Sequence, residues 1–123
     1  MYRRFCYTIL FISSFSFAQV TGLNGWNIFI DPGHSQTDNM GINGYSEAEE
    51  VLRVGLNLME ILLIQTDIDT VYISRTNDQQ QVSLYQRTNH SNTVGAAWYH
   101  SIHSNAGPSD HNNTLLLWGE LND

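Results

Sequence analysis

Three short apolar runs, separated by two longer stretches of mixed polarity, leave this chain few ways to fold. Asn27-Ile28-Phe29-Ile30 ends at Asp31-Pro32-Gly33, a turn signal, which predicts a buried strand followed by a loop at its C-terminal end. Thr70-Val71-Tyr72-Ile73-Ser74 is β-branched and aromatic and predicts a second strand, and residues 96–102 a third. Between the first two, Val51, Leu52, Leu56, Met59, Leu62 and Leu63 recur at helical spacing, giving an amphipathic helix to about Ile64. Ser46 is its N-cap, and Glu49 three residues later completes a capping-box pattern. Residues 82–94 form a weaker second helix with Leu84, Tyr85 and Thr88 directed at the core, although Asn89, Ser91 and Asn92 are poor helix formers. Residues 35–45 are rich in Gly, Asn and Asp and lack a hydrophobic period, so they read as a loop. A polar loop holding Gly107 and Pro108 leads to a fourth strand at residues 114–118. This order predicts one α/β domain, a mainly parallel (mixed) sheet with helices on both faces. Strands covered on both faces lack clean alternation, as Ile28-Phe29-Ile30 does.

The first residues read as a targeting segment. Arg3 and Arg4 form a basic start, Phe5 opens an uncharged apolar run that ends at Phe17, and Ser16-Phe17-Ala18 places small residues where a signal peptidase reads. Residues 1–18 are therefore expected to be a signal peptide cleaved before Gln19, with residues 19–123 forming the exported chain, periplasmic or extracellular. The run falls short of the roughly 20 residues that cross a bilayer, so no stable membrane span is expected after cleavage.

Cleavage also removes Cys6, the one cysteine, so no internal disulfide can form and stability must come from the core and any bound metal. Arg53, Arg75 and Arg87 then stand against twelve carboxylates with no lysine, a formal charge of −9. Nucleic-acid binding depends on basic side chains that neutralise phosphates, so this balance argues against it.

In open α/β sheets the site lies outside the carboxyl ends of the strands. His34 follows the first strand and His103 the third, while Glu47 opens the first helix, where a carboxylate suits the dipole. Two neutral imidazoles and one carboxylate suit zinc with a fourth position open. Spacing alone leaves Glu49 and Glu50 as competing ligands.

The surrounding residues carry a resemblance. Ile28-Phe29-Ile30-Asp31-Pro32-Gly33-His34, then Gly44-Tyr45-Ser46-Glu47 with Leu52, then Tyr72-Ile73-Ser74-Arg75-Thr76-Asn77-Asp78 stand in order. Ser83-Leu84 with Arg87 and Asn92, Ala96, and Ser101-Ile102-His103-Ser104-Asn105 follow. Together they resemble the motifs of the zinc-dependent N-acetylmuramoyl-L-alanine amidases of type 3. The resemblance implies Zn2+ held by His34, Glu47 and His103 at the C-terminal ends of the strands, and it selects Glu47 over Glu49 and Glu50. It implies peptidoglycan as partner and hydrolysis of the amide between N-acetylmuramic acid and L-alanine.

It also implies a second glutamate late in the domain that assists the attacking water. In residues 119–123 only Glu120 and Asp123 are acidic, and Trp118-Gly119-Glu120-Leu121 does not resemble that motif. The sequence therefore reads as the N-terminal portion of such a domain, incomplete at the C-terminus, with its catalytic glutamate absent and Glu120 a weak substitute. A zinc-containing module that grips peptidoglycan without cutting it, or another zinc hydrolase or peptidase on a similar sheet, are the rival readings. His111 and Asn105 are candidates for substrate contact. His100, three positions before His103 on a strand, is expected on the opposite face as a packed histidine, and His90 on a solvent-facing helix surface. Arg75 and Asp78 are expected to form a local ion pair, Trp98 and Tyr99 to be core, and Trp26 to be exposed.

Overall fold

A computed structural model describes residues 18–35, 40, 44 and 46–104. Strand β1 (Asn27–Pro32) leads to helix α1 (Glu47–Gln65), strand β2 (Thr70–Ile73), helix α2 (Leu84–Thr93) and strand β3 (Trp98–Ile102). The sheet order is β2-β1-β3, and both neighbours run parallel to the central β1. The predicted α/β architecture is present, and the predicted strand at residues 114–118 lies outside the described residues.

Each face of β1 carries one helix. Ile30 and Pro32 point towards α1, whose Gly55 lies so close that a Cβ there would sit 2.6 Å from Pro32 Cγ and 3.5 Å from Ile30 Cγ2. Phe29 and Asp31 point the other way: the His90 ring of α2 meets Phe29 edge-on at 5.1 Å, and Arg87 of α2 pairs with Asp31. Phe29, Ile30, Ala48, Val51, Leu52 and Val71 are the buried apolar core among the described residues. Burying each of the larger of these is worth about 1.5–3 kcal/mol.

Local signals set the helix ends. Ser46 accepts a hydrogen bond from Glu49 N at 3.3 Å and caps α1. At the other end Thr66 donates its hydroxyl to Leu62 O at 2.7 Å. Asp67 then accepts from the backbone of Gly22 and Leu23, which holds its carboxyl below the ordinary range and ties the chain before β1 to the end of α1. Helix α2 starts with a full capping box, Gln86 N donating to Ser83 Oγ at 3.3 Å and Ser83 N to Gln86 Oε1 at 2.8 Å. No helix among the described residues is long and apolar enough to cross a membrane.

Several sequence expectations are corrected. Asp31 and Pro32 are not a turn but the end of β1, in register with Ser101 and Ile102. Proline is tolerated in this central strand because its missing N–H falls on the side where β2 has already ended at Ile73. Leu84 and Tyr85 do not face the core but are 80% and 75% exposed; α2 instead turns Arg87 and Ser91 inward, because the surface beneath it is the polar Asp31. Trp98 is 62% exposed and Tyr99 39% exposed. Strand β3 has a neighbour on one side only among the described residues, and Tyr99 stacks on Phe29 while its hydroxyl reaches Asp31. Trp26 is exposed as expected.

Candidate metal centre

Three segments distant in sequence end at one edge of the sheet. His34 lies just past β1, Glu47 is the first residue of α1, and His103 is the first residue after β3. His34 Nε2 is 3.2 Å from Glu47 Oε1, His103 Nδ1 is 3.4 Å from the same oxygen, and the two ring nitrogens are 3.1 Å apart. The imidazoles stand at 84° to each other. Two donors each about 2.0–2.1 Å from a tetrahedral ion lie about 3.3–3.4 Å apart. The three atoms are thus spaced as ligands of one such ion. A proton can bridge only two of them, whereas a cation at their centre serves all three.

Backbone conformation and close packing produce this convergence. His34 adopts φ +56°, a left-handed conformation uncommon outside glycine, which turns its side chain back towards α1. Gly33 lies flush against the His103 ring: a Cβ there would fall 2.2 Å from His103 Cε1. Ser104 N donates to Glu47 Oε1 at 2.8 Å, fixing the carboxylate from the β3 side. Glu47 is buried, whereas Glu49 is exposed and Glu50 pairs with Arg53 at 3.3 Å. Helical rotation therefore separates the three glutamates and leaves Glu47 facing the histidines. The group opens onto a depression of about 450 Å³, lined also by Gly33, Asp31, Arg87 and residues 82–84.

Beneath these three side chains lies a buried ionic layer that reading the sequence missed. Arg87 Nη1 donates to Asp31 Oδ1 at 2.5 Å, and Tyr99 and Ser101 donate their hydroxyls to Asp31 Oδ2 at 2.5 Å and 3.1 Å. Burial alone would raise the Asp31 pKa, but the hydrogen bonds from Tyr99, Ser74 and Arg87 outweigh it and hold the carboxyl below the ordinary range. Burial, with the Asp31 charge, pushes the Tyr99 hydroxyl up, so it remains a donor. Arg75 makes the expected ion pair with Asp78 at 3.3 Å, yet its side chain is wholly buried and also reaches three backbone carbonyls. The available signal was Pro32 itself, whose carbonyl needs a partner once β2 has ended.

His100 is half-buried in register with Ile30, on the α1 face. His90 is exposed, with its ring edge against Phe29. Asn105, His111 and Glu120 lie outside the described residues.

Comparison with known proteins identifies the family of this fold. The pattern of the Amidase_3 family, N-acetylmuramoyl-L-alanine amidase, matches residues 28–117. N-acetylmuramoyl-L-alanine amidase CwlM of Bacillus licheniformis is 47% identical over 81 residues, covering 65% of this chain and 32% of that protein. Among solved structures, an N-acetylmuramoyl-L-alanine amidase from Clostridium difficile 630 superposes with a TM-score of 0.61 at 30% identity, covering 75% of this chain and 50% of that one. AmiC2 of Nostoc punctiforme, also an N-acetylmuramoyl-L-alanine amidase, superposes with a TM-score of 0.61 at 26% identity, covering 72% and 49%. The chain thus spans about a third of the curated relative and about half of each solved structure. The matched region takes in both strands that end at the histidines and the helix that begins at Glu47, and on that match the chain belongs to the Amidase_3 family of N-acetylmuramoyl-L-alanine amidases.

Proposed function

We propose that His34, Glu47 and His103 hold Zn2+ in an exported peptidoglycan amidase, and that the chain contributes the metal-binding part of the site. The observation that carries this reading is the mutual spacing of 3.1–3.4 Å among one carboxylate oxygen and two imidazole nitrogens. Two nitrogens and one oxygen are the donor set of hydrolytic zinc, with a fourth position left for a reactant. The substrate bond is the amide joining the lactyl group of N-acetylmuramic acid to L-alanine, the bond after which the matched family is named.

Bound there, zinc supplies Lewis acidity, activating water near neutral pH and polarising an amide carbonyl. The chain's own residues supply the frame. Ser104 N and the buried position of Glu47 keep one carboxylate oxygen directed at the histidines. The depression beside them admits the scissile amide, with Leu84 and Val82 along its rim. Hydrolysis also needs a group that accepts the proton of water and passes it to the departing amine. Asp31, the carboxylate among the residues that line the depression, is committed to Arg87, Tyr99 and Ser101, so we assign that role to a carboxylate outside the described residues.

The commitment of Asp31 also favours a second reading, a module that grips peptidoglycan without cutting it. Metal analysis and zymography on purified peptidoglycan separate the two. The amidase reading expects one zinc per chain, abolished by the triple variant His34→Ala, Glu47→Ala, His103→Ala. It also expects hydrolysis by a version extended to the length of the relatives, with newly freed L-alanine amines and lactyl carboxylates identified by mass spectrometry. An extended protein with stoichiometric zinc and no hydrolysis would sink it in favour of the binding module. Cleavage at a peptide bond instead would make the protein a zinc peptidase.

A further inference from the structure

We propose that Arg75 and Arg87 form a carbonyl clamp that positions the metal ligands, setting metal affinity through the backbone rather than through the ligands' own side chains. The inference rests on the zinc reading above. Three consecutive carbonyls, those of Pro32, Gly33 and His34, are each taken by a buried guanidinium. Arg75 Nε donates to Pro32 O at 3.1 Å and Arg87 Nη1 to the same oxygen at 2.7 Å. Arg75 Nη2 reaches Gly33 O at 2.8 Å, and Arg87 Nη2 reaches His34 O at 2.6 Å.

Two features separate this from the ordinary satisfaction of buried carbonyls. The first is that Arg75 Nη2 also donates to Ala48 O at 2.5 Å. One nitrogen thereby joins Gly33, the residue before His34, to Ala48, the residue after Glu47. It fixes the distance between two ligand-bearing segments that belong to different elements. The second is that His34 sits at φ +56°. A non-glycine residue held in a sparsely populated backbone region persists only where its surroundings over-determine it. Arg87 supplies that constraint through the backbone, gripping the His34 carbonyl while Asp31 anchors its other branch. The charge of Arg87 is spent on Asp31 and that of Arg75 on Asp78, so neither guanidinium presents an uncompensated cation to the metal.

Only a planar fork with several donors can perform this role. A lysine keeps the charge but offers one compact ammonium that cannot span Pro32 O and His34 O together, or hold Pro32 O while it also joins Gly33 O to Ala48 O. The clamp therefore predicts that Arg87→Lys and Arg75→Lys weaken metal binding even where they fold, whereas a purely structural role predicts lower stability with unchanged affinity of the folded protein.

The test is Co2+ titration of the full chain, reading both the dissociation constant and the visible absorption of four-coordinate Co2+, beside thermal melting of the metal-free protein. Loss of groups that orient metal ligands typically costs about 10–100-fold in affinity, and that range is expected for Arg87→Lys, with altered Co2+ bands. Asp31→Asn keeps both arginines but removes the anchor of Arg87, and it decides the matter if either lysine variant does not fold; a several-fold weakening with altered bands is expected. Wild-type affinity and spectrum in folded Arg87→Lys, or in folded Asp31→Asn where the lysine variants are unfolded, overturn the clamp. A wild-type chain that binds Co2+ no better than His34→Ala overturns the zinc reading itself, a result distinct from failure of the clamp alone.

Discussion

Gly33 faces the His103 ring so closely that any side chain there must displace it. A Cβ would lie 2.2 Å from Cε1, 2.5 Å from Nε2 and 2.6 Å from Nδ1, all inside van der Waals contact. The ring is about half exposed, with 48% of its side chain open to solvent, so it can swing outward instead of forcing the sheet apart. Gly33→Ala should therefore leave the fold standing and displace one of the three proposed ligands. The expected outcome is at least about 10-fold weaker zinc binding, with the melting temperature of the metal-free protein little changed. Isothermal titration beside a thermal melt checks both; unchanged zinc affinity would show that the ring does not sit against Gly33 when metal is bound. The same steric argument explains why a glycine precedes the first histidine.

At the scale of elements, the equivalent contact is between α1 and β1, and here the neighbour cannot yield. Gly55 brings the helix axis so near β1 that a Cβ would meet Pro32 Cγ at 2.6 Å, and Pro32 is buried at the strand end that leads to His34. Alanine would gain about 1 kcal/mol of helix propensity over glycine. Overpacking a rigid core contact costs about 1–3 kcal/mol, so the steric effect should win. Gly55→Ala is expected to lower the urea midpoint, and a raised midpoint would mean that α1 slides freely over the strand. Much of this framework was legible in the sequence. The apolar runs of β1, β2 and β3 and the helical period of α1 report burial directly, and the cap at Ser46 is local chemistry. Helix α2 was legible in position but not in orientation. Its inward face is Arg87 and Ser91, with Arg87 paired to Asp31, so hydrophobic periodicity pointed to Leu84 and Tyr85 instead. Asp31-Pro32 looked like a turn because the partner that keeps it extended, β3, lies far along the chain. Topology made a meeting of two strand ends and a helix start legible, but spacing left Glu49 and Glu50 beside Glu47, and it was the family resemblance that selected Glu47. The arginines that hold the backbone there were not legible, because a buried guanidinium serving carbonyls leaves no period in the sequence.

For the molecule as a whole, the proposed metal site and the stability of the fold are one problem. The buried apolar core of the described residues is small, and large apolar side chains such as Ile64, Leu84 and Trp98 remain exposed. The three candidate ligands come from the ends of β1 and β3 and the start of α1, so an ion held by them ties together three segments that lie apart in the sequence. A ligand that binds only the folded state stabilises it by about 2.7 kcal/mol at a free concentration 100 times its dissociation constant. For a domain of this size each kcal/mol is worth about 4–8 °C, so saturating zinc should raise the melting temperature by about 10–20 °C. A chelator should reverse the rise. His34→Ala should melt near the metal-free wild type and respond little to zinc, because two remaining donors cannot close the site. Differential scanning fluorimetry across a zinc series, with and without chelator, measures all of these. If the His34→Ala chain gained as much as the wild type, zinc would be acting elsewhere on this acidic surface, and the sheet-edge cluster would have to be read as a hydrogen-bonded group alone.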